Sequence, residues 1–236
     1  MKNDIIDVKN VTKCFGSKKV LDDLSFQVGQ GSVFGLLGKN GSGKTTLIKS
    51  ILGLVRPQHG NITTLGDDPW CFQESTKEKI GYVPQMDSLY PWLRIKEMVE
   101  YTASFYSRWN SNLVNELIED WGLNPQDRIG TLSVGESQKV SIILSLGHEP
   151  ELLVFDEPVA SLDPFARRQF LKTLIEIITR RPCTIFFSTH ITSDLERITD
   201  HVALLHQGKI MFCGELDELK TRGNLNLEEI FLEMTR

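Results

Sequence analysis

Residues 38–46 read GKNGSGKTT and follow the apolar run SVFGLL. A turn between a strand and a helix needs one glycine or two. Here Gly38, Gly41 and Gly43 are spaced around Asn40 and Ser42 and run directly into Lys44, Thr45 and Thr46. Glycine accepts backbone conformations closed to other residues, so such a loop curls until successive N–H groups point inward as a nest for an anion. The stretch fits G-x-x-x-x-G-K-[ST], the phosphate-binding loop, which delivers phosphates to the N-terminus of the next helix. Unpaired N–H groups and the helix dipole favour negative charge there. Lys44 adds a full cation for the β- and γ-phosphates, and Thr45 offers a hydroxyl to Mg²⁺.

A phosphate loop needs carboxylates to complete its chemistry, and ELLVFDEP supplies them. Leu152–Phe155 is a buried strand that places Asp156 at its carboxyl end, beside the loop in a parallel sheet. Asp156 suits the Mg²⁺ shell. Glu157 suits a water, to orient it or take its proton as it attacks a phosphoryl group.

The elements that must hold these groups alternate along the chain. IIDVKNVT, LSFQV, SVFGLLG, NITTLG and KIGYVP read as strands, and TTLIKSILGLV as a helix with apolar Leu47, Ile48, Ile51 and Leu54. After Pro84 the pattern becomes helical and aromatic: RIKEMVEYTASFYSRW, then SNLVNELIEDWG, a turn-rich GLNPQDRIG, and the helix ESQKVSIILSLG. Beyond Glu151 the alternation returns, with ELLVFDEP and TIFFSTH as strands, and PFARRQFLKTLIEIIT and ITSDLERIT as helices. A hairpin follows, turning at Gln207-Gly208, and then a helical tail. The expected fold is an α/β core interrupted by a helical insertion.

Composition narrows the class. The chain has 236 residues, 40% hydrophobic and 24% charged, which suffices for a substantial core. A net charge of -5 disfavours a broad nucleic-acid surface, so no nucleic-acid partner is expected. Cys14, Cys71, Cys183 and Cys213 are scattered without a C-x-x-C pair and read as reduced thiols of a cytosolic protein. The first residues, MKNDIIDVKN, are too charged for a secretory signal, and no apolar stretch is long enough to span a bilayer.

In the order of its motifs the chain resembles the nucleotide-binding domain of ATP-binding-cassette (ABC) transporters. Gly38–Thr45 is similar to the Walker A loop and LLVFDEP to Walker B. Gln85 in GYVPQ resembles the Q-loop glutamine, LSVGE the signature, SLD (Ser161–Asp163) the D-loop and His190 the switch histidine. The resemblance implies a P-loop NTPase core with a mixed, mainly parallel sheet, an N-terminal antiparallel β-subdomain and an inserted α-helical subdomain. The boundaries would be 1–85 and 151–236 for the core and about 86–150 for the insertion. It implies ATP and Mg²⁺ as ligands, with Gln85 joining Thr45 and Asp156 at the metal and Asp163 at the nucleotide. His190, ending a predicted parallel strand, can donate to the γ-phosphate. Phe15 stands where an aromatic ring stacks on adenine; a buried core aromatic is the alternative.

The resemblance also implies two subunits facing head to tail, as a homodimer or heterodimer. Ser133 and the Gly135 N–H of one subunit then reach the γ-phosphate held by the other. This signature departs from the usual LSGGQ. Val134 replaces a glycine and, being β-branched, must sit in an ordinary β or helical conformation. Glu136 replaces the glutamine and brings negative charge near a polyphosphate, which is expected to weaken the composite site and slow turnover. The implied setting is the cytoplasmic face of a membrane, on a separate permease, in the export-type branch. Soluble cassette ATPases of assembly or nucleic-acid-linked machines form the other class. Tyr90 and Trp92, after Gln85, read as docking residues, whereas the helical spacing of Met98, Tyr101 and Phe105 reads as a core stripe.

Overall fold

The computed structural model describes residues 4–85, 89–159, 162, 164–180, 183–221 and 227–234. Strands β1 (Asp4–Phe15) and β2 (Lys18–Gly29) form a long hairpin, and β3 (Val33–Leu37) leads through the glycine loop into α1 (Lys44–Ile51). Strand β4 (His59–Thr64), the short helix α2 (Glu74–Lys77) and β5 (Ile80–Val83) follow. Three helices then intervene, α3 (Ile95–Ala103), α4 (Ser111–Asp120) and α5 (Val134–Leu146). The chain continues through β6 (Leu152–Asp156), α6 (Pro164–Arg180), β7 (Thr184–Thr189) and α7 (Thr192–Ile198). It ends with β8 (His201–His206), β9 (Lys209–Glu215), α8 (Leu216–Thr221) and α9 (Leu227–Met234).

Two sheets result. One is antiparallel, in the order β2-β1-β4; the other runs β5-β6-β7-β3-β8-β9 and is parallel except for β9. β5 and β6 are neighbours in the second sheet, so α3, α4 and α5 all lie in the crossover between them, where the helical insertion was expected.

The central strands are buried on both faces, as continuous apolar runs in a parallel sheet require. Their alternation divides them between two cores. Phe34, Leu36, Leu152, Val154, Phe186, Ala203 and Leu205 pack with α1 and the antiparallel sheet. Val33, Leu37, Leu153, Phe155, Ile185, Phe187, Val202 and Leu204 pack against the helices of the opposite side. At the centre of the first core Phe34 stacks on Phe186 with centroids 5.5 Å apart and on Phe26 at 5.6 Å, which joins the two sheets.

Local signals place most elements, with three differences. The β8–β9 turn falls at Gln207 and Gly208, both at positive φ, as a two-residue hairpin demands. α1 ends at Ile51, so Leu54 lies beyond it and is 63% exposed rather than part of the apolar stripe. The helix read across residues 94–109 stops at Ala103. The chain turns there, Asn110 N–H donates to Gly147 O at 2.7 Å, and the Trp109 ring occupies the space beside Gly147. Finally, Met98 is buried but Tyr101 and Phe105 are exposed, so the stripe reading fails for those two.

Because Phe186 is fully buried between the sheets, Phe186→Ala is expected to lower unfolding free energy by about 3–5 kcal/mol, measured by urea denaturation. A loss under 1 kcal/mol would mean that this stack does not hold the sheets together.

Candidate active site

The glycine loop begins at the carboxyl end of β3, between β7 and β8. Gly38 N–H donates to Thr189 O at 3.2 Å on one side, and Gly208 N–H donates to Ser42 O at 3.1 Å on the other. Gly41 has φ 79° and Gly43 φ 114°, values that L side chains adopt rarely. A Cβ on Gly43 would also meet Val20 O of β2 at 2.8 Å. The hairpin that carries Phe15 therefore runs against the loop. Gly43 provides no side-chain cap for α1, so the amides of the first helical turn, from Lys44 to Thr46, remain for another acceptor. Asn40 and Gly41 are exposed at the tip, Thr45 and Thr46 are half-buried, and the buried Ser42 hydroxyl has no partner among the described residues.

Lys44 is buried and points back over this loop. Its ammonium donates to Gly38 O at 2.6 Å and Lys39 O at 3.1 Å and pairs with Glu157 Oε1 at 2.9 Å. The other oxygen, Glu157 Oε2, lies 2.9 Å from His190 Nδ1. Glu157 sits at φ 49°, an uncommon conformation for a non-glycine residue, which turns its side chain in between these two partners. Its own N–H donates to Ser188 Oγ at 3.0 Å.

Asp156 ends β6 opposite Ser188 of β7, and the Ser188 hydroxyl donates to Asp156 Oδ1 at 2.9 Å. Burial pushes the Asp156 carboxyl above its ordinary pKa, while hydrogen bonds from Thr45 and Ser188 oppose that rise. Oδ2 is buried with no hydrogen-bond partner among the described residues. A hydroxyl on one side and an open carboxylate oxygen on the other fit a Mg²⁺ ion, which takes one or two carboxylates and fills its remaining positions with phosphate and water. Gln85 is exposed just past β5, whose Val83 pairs with Phe155, so it shares the carboxyl edge with Asp156.

Ser188 was not foreseen. It is fully buried and serves both acids, yet in TIFFSTH it reads as one more strand residue; only the β6–β7 register reveals its role.

Phe15 is 53% exposed at the end of its strand, with the Lys13 ammonium 5.0 Å from its ring centre, which rules out the buried-core alternative. Ser133 precedes α5, and Gly135 and Glu136 lie in its first turn; among the described residues none of the three hydrogen-bonds to the loop. Gly135 faces Leu162, and Asp163 lies outside the described residues. Ser133 is the N-cap of α5 and Glu136 closes a reciprocal box. Ser133 N–H and Oγ–H both donate to Glu136 Oε2, at 2.8 and 2.7 Å, and Glu136 N–H returns a bond to Ser133 Oγ at 3.3 Å. These hydrogen bonds hold the Glu136 carboxyl below its ordinary value. Val134 is the first helical residue, the conformation expected of a β-branched side chain there.

Comparison with known proteins identifies the family. The family model described as "ABC transporter" matches residues 21–160, and one described as "AAA domain, putative AbiEii toxin, Type IV TA system" matches residues 128–193. The chain is 34% identical to the bacitracin transport ATP-binding protein BcrA of Bacillus licheniformis, over 95% of this chain and 74% of the relative. It is also 34% identical to the Nod factor export ATP-binding protein I of Bradyrhizobium diazoefficiens, over 93% of this chain and 73% of the relative. A solved structure described as the ATP-binding subunit of an ABC transporter superposes with a TM-score of 0.89 at 30% identity, covering 98% of this chain and all of that one. In sequence and in fold the chain belongs to the ABC transporter family, as an ATP-binding subunit that hydrolyses ATP.

Proposed function

We propose that this subunit drives an exporter, and that Lys44, Glu157 and His190 at the ends of three adjacent strands carry out the hydrolysis. The observation that carries the site assignment is the Glu157 carboxylate, bound at 2.9 Å by Lys44 on one oxygen and by His190 on the other. The reaction is ATP + H₂O → ADP + phosphate, and its γ-phosphoryl transition state is stabilised by position and charge rather than by a covalent intermediate.

The triphosphate lies along the amides of Gly41 to Thr46 and competes with Glu157 for the Lys44 ammonium. As Lys44 turns to the phosphates, Glu157 Oε1 is freed to accept from the attacking water, and His190 keeps Oε2 in place. A neutral His190 that gives its Nδ1 proton to Glu157 has only an acceptor at Nε2. It therefore donates to the γ-phosphate in its doubly protonated form or after releasing Glu157. Thr45, Asp156 and Gln85 are the residues that would hold Mg²⁺, which when bound neutralises charge between the β- and γ-phosphates. Phe15 offers its exposed face to the adenine.

The second half of the site is contributed by the signature of another cassette subunit, identical or different, in a dimer that closes on ATP and opens after hydrolysis. In this chain Ser133 already donates to Glu136. A phosphate must compete with a carboxylate for that hydroxyl and also approach its charge, so we read Glu136 as a brake on turnover.

The exporter reading rests on the relatives, which include a subunit named for Nod factor export, and on an exposed aromatic face. Tyr90 stacks on Trp92 with centroids 5.1 Å apart and meets Tyr101 edge-on at 5.4 Å; Tyr101 meets Phe105 at 5.0 Å. Trp92 is 66% and Phe105 64% exposed. Clustered aromatics at the surface are characteristic of interface cores. No helix among the described residues is long and apolar enough to cross a membrane. In our reading a separate permease supplies that path, and this face binds it on the cytoplasmic side.

Three outcomes test the proposal. Glu157→Gln is expected to retain ATP binding, lose about 10²–10⁴-fold in phosphate release and accumulate as an ATP-bound dimer in gel filtration; normal turnover removes Glu157 from the mechanism. Val134→Gly with Glu136→Gln is expected to raise kcat at saturating ATP, and an unchanged kcat rejects the brake. Detergent extracts of cells expressing the chain are expected to yield a multi-spanning membrane protein in equal amount. Trp92→Ser with Phe105→Ser should reduce that yield while ATP binding persists. Recovery of ribosomes, DNA or a soluble scaffold instead would overturn the exporter reading.

A further inference from the structure

Away from the phosphate loop, a cavity of about 770 Å³ lies between α4 and α5 on one side and β6 and α6 on the other. That volume is in the range of sites for drug-sized molecules. Its floor is apolar, with Leu117, Trp121, Ile142 and Phe170 among the lining residues. Most charges at its rim are already matched: Arg108 with Glu149 at 3.8 Å, Lys172 with Glu176 at 3.7 Å, and Glu151 with Lys79 at 3.1 Å. Asp120 is exposed at the rim, where solvent screens it.

Lys139 differs. It is half-buried in the cavity wall, its ammonium donates to Trp121 O at 3.1 Å, and no carboxylate among the described residues lies within ion-pair distance of it. Beside it Gln138 is 7% exposed, and its amide nitrogen has no acceptor among the described residues. An ammonium with hydrogens to spare and an unused amide donor next to an apolar floor call for a ligand with an acceptor-rich anionic head and an apolar body.

We propose that this cavity is a regulatory site for a single-chain amphipathic monoanion, such as a carboxylate or sulfonate, whose head binds Lys139 and Gln138 and whose body lies against Trp121. The site is coupled to the signature through α5. Gly135 lines the same cavity, and Lys139 stands one turn from Glu136 and attracts its carboxylate. Neutralising Lys139 frees Glu136 from that attraction while the body wedges α5 against α6. The regulatory half of the proposal rests on the site assignment above; the binding half does not.

The full chain is titrated with anilinonaphthalene sulfonate, then with dodecanoate or dodecyltrimethylammonium as competitor. The expected result is saturable fluorescence, with energy transfer from tryptophan reduced in Trp121→Phe and displacement by dodecanoate only. Lys139→Glu should weaken both anions by about tenfold or more, whereas Lys77→Glu, on the exposed face of α2, should leave them unchanged. Equal displacement by the cation, unaltered affinity in Lys139→Glu, or loss of signal in Trp92→Ser instead would overturn the site. Dodecanoate is also expected to change the ATPase rate of the wild type and not of Lys139→Glu. Binding without that difference overturns the regulatory role alone.

Discussion

One buried carboxylate joins the three strand ends that matter. Glu157 leaves β6, Lys44 follows β3 and His190 follows β7, and the two contacts at 2.9 Å close them around a single point. A buried pair of this kind contributes little net stability, because desolvating both charges offsets their attraction; removing one partner is costly. Its value here is positional. In the proposed mechanism a polyanion separates Lys44 from Glu157, so the binding of phosphate and the release of the carboxylate become a single exchange. The parallel register supports this arrangement: Asp156 lies opposite Ser188 and Leu37 opposite Thr189. A slip by one residue would turn each of these side chains to the other face of the sheet.

The signature caps a helix and is proposed to meet phosphate as well. Ser133 and Glu136 cap α5 reciprocally, which satisfies amides that the helix start leaves open. The bond that stabilises the helix also engages the hydroxyl assigned to phosphate. In the proposed composite site, phosphate and the Glu136 side chain would therefore compete for one hydrogen-bond donor, and the glutamate adds a negative charge to that competition. Lys139, one turn further along, adds a weaker attraction on Glu136 than Ser133 does and lines the cavity.

The aromatic face illustrates where sequence patterns mislead. Met98, Tyr101 and Phe105 have helical spacing, yet only Met98 is buried. α3 ends at Ala103, so Phe105 is no longer on the helix that the spacing assumes. Periodicity identifies residues that can share a face; it does not say whether another element covers that face. Here Tyr101 meets Phe105 and Tyr90 edge-on instead, and Tyr90 stacks on Trp92.

The amino-acid sequence alone determined those features whose causes are local. The curl of the loop follows from Gly41 and Gly43, the hairpin from Gln207-Gly208, the position of Asp156 from the apolar run that ends at it, and that of His190 from the strand that ends just before it. Backbone sterics and side-chain alternation within a few residues suffice for each. Tertiary structure decided the order β5-β6-β7-β3-β8-β9 and which alternate residues of each strand face which core. It also brought Ser188 to both acids, whereas the Ser133–Glu136 box is a local contact three residues apart. A strand apolar on both faces contains no record of its neighbour. Its register is chosen only when the two cores close together and bury every such face at once.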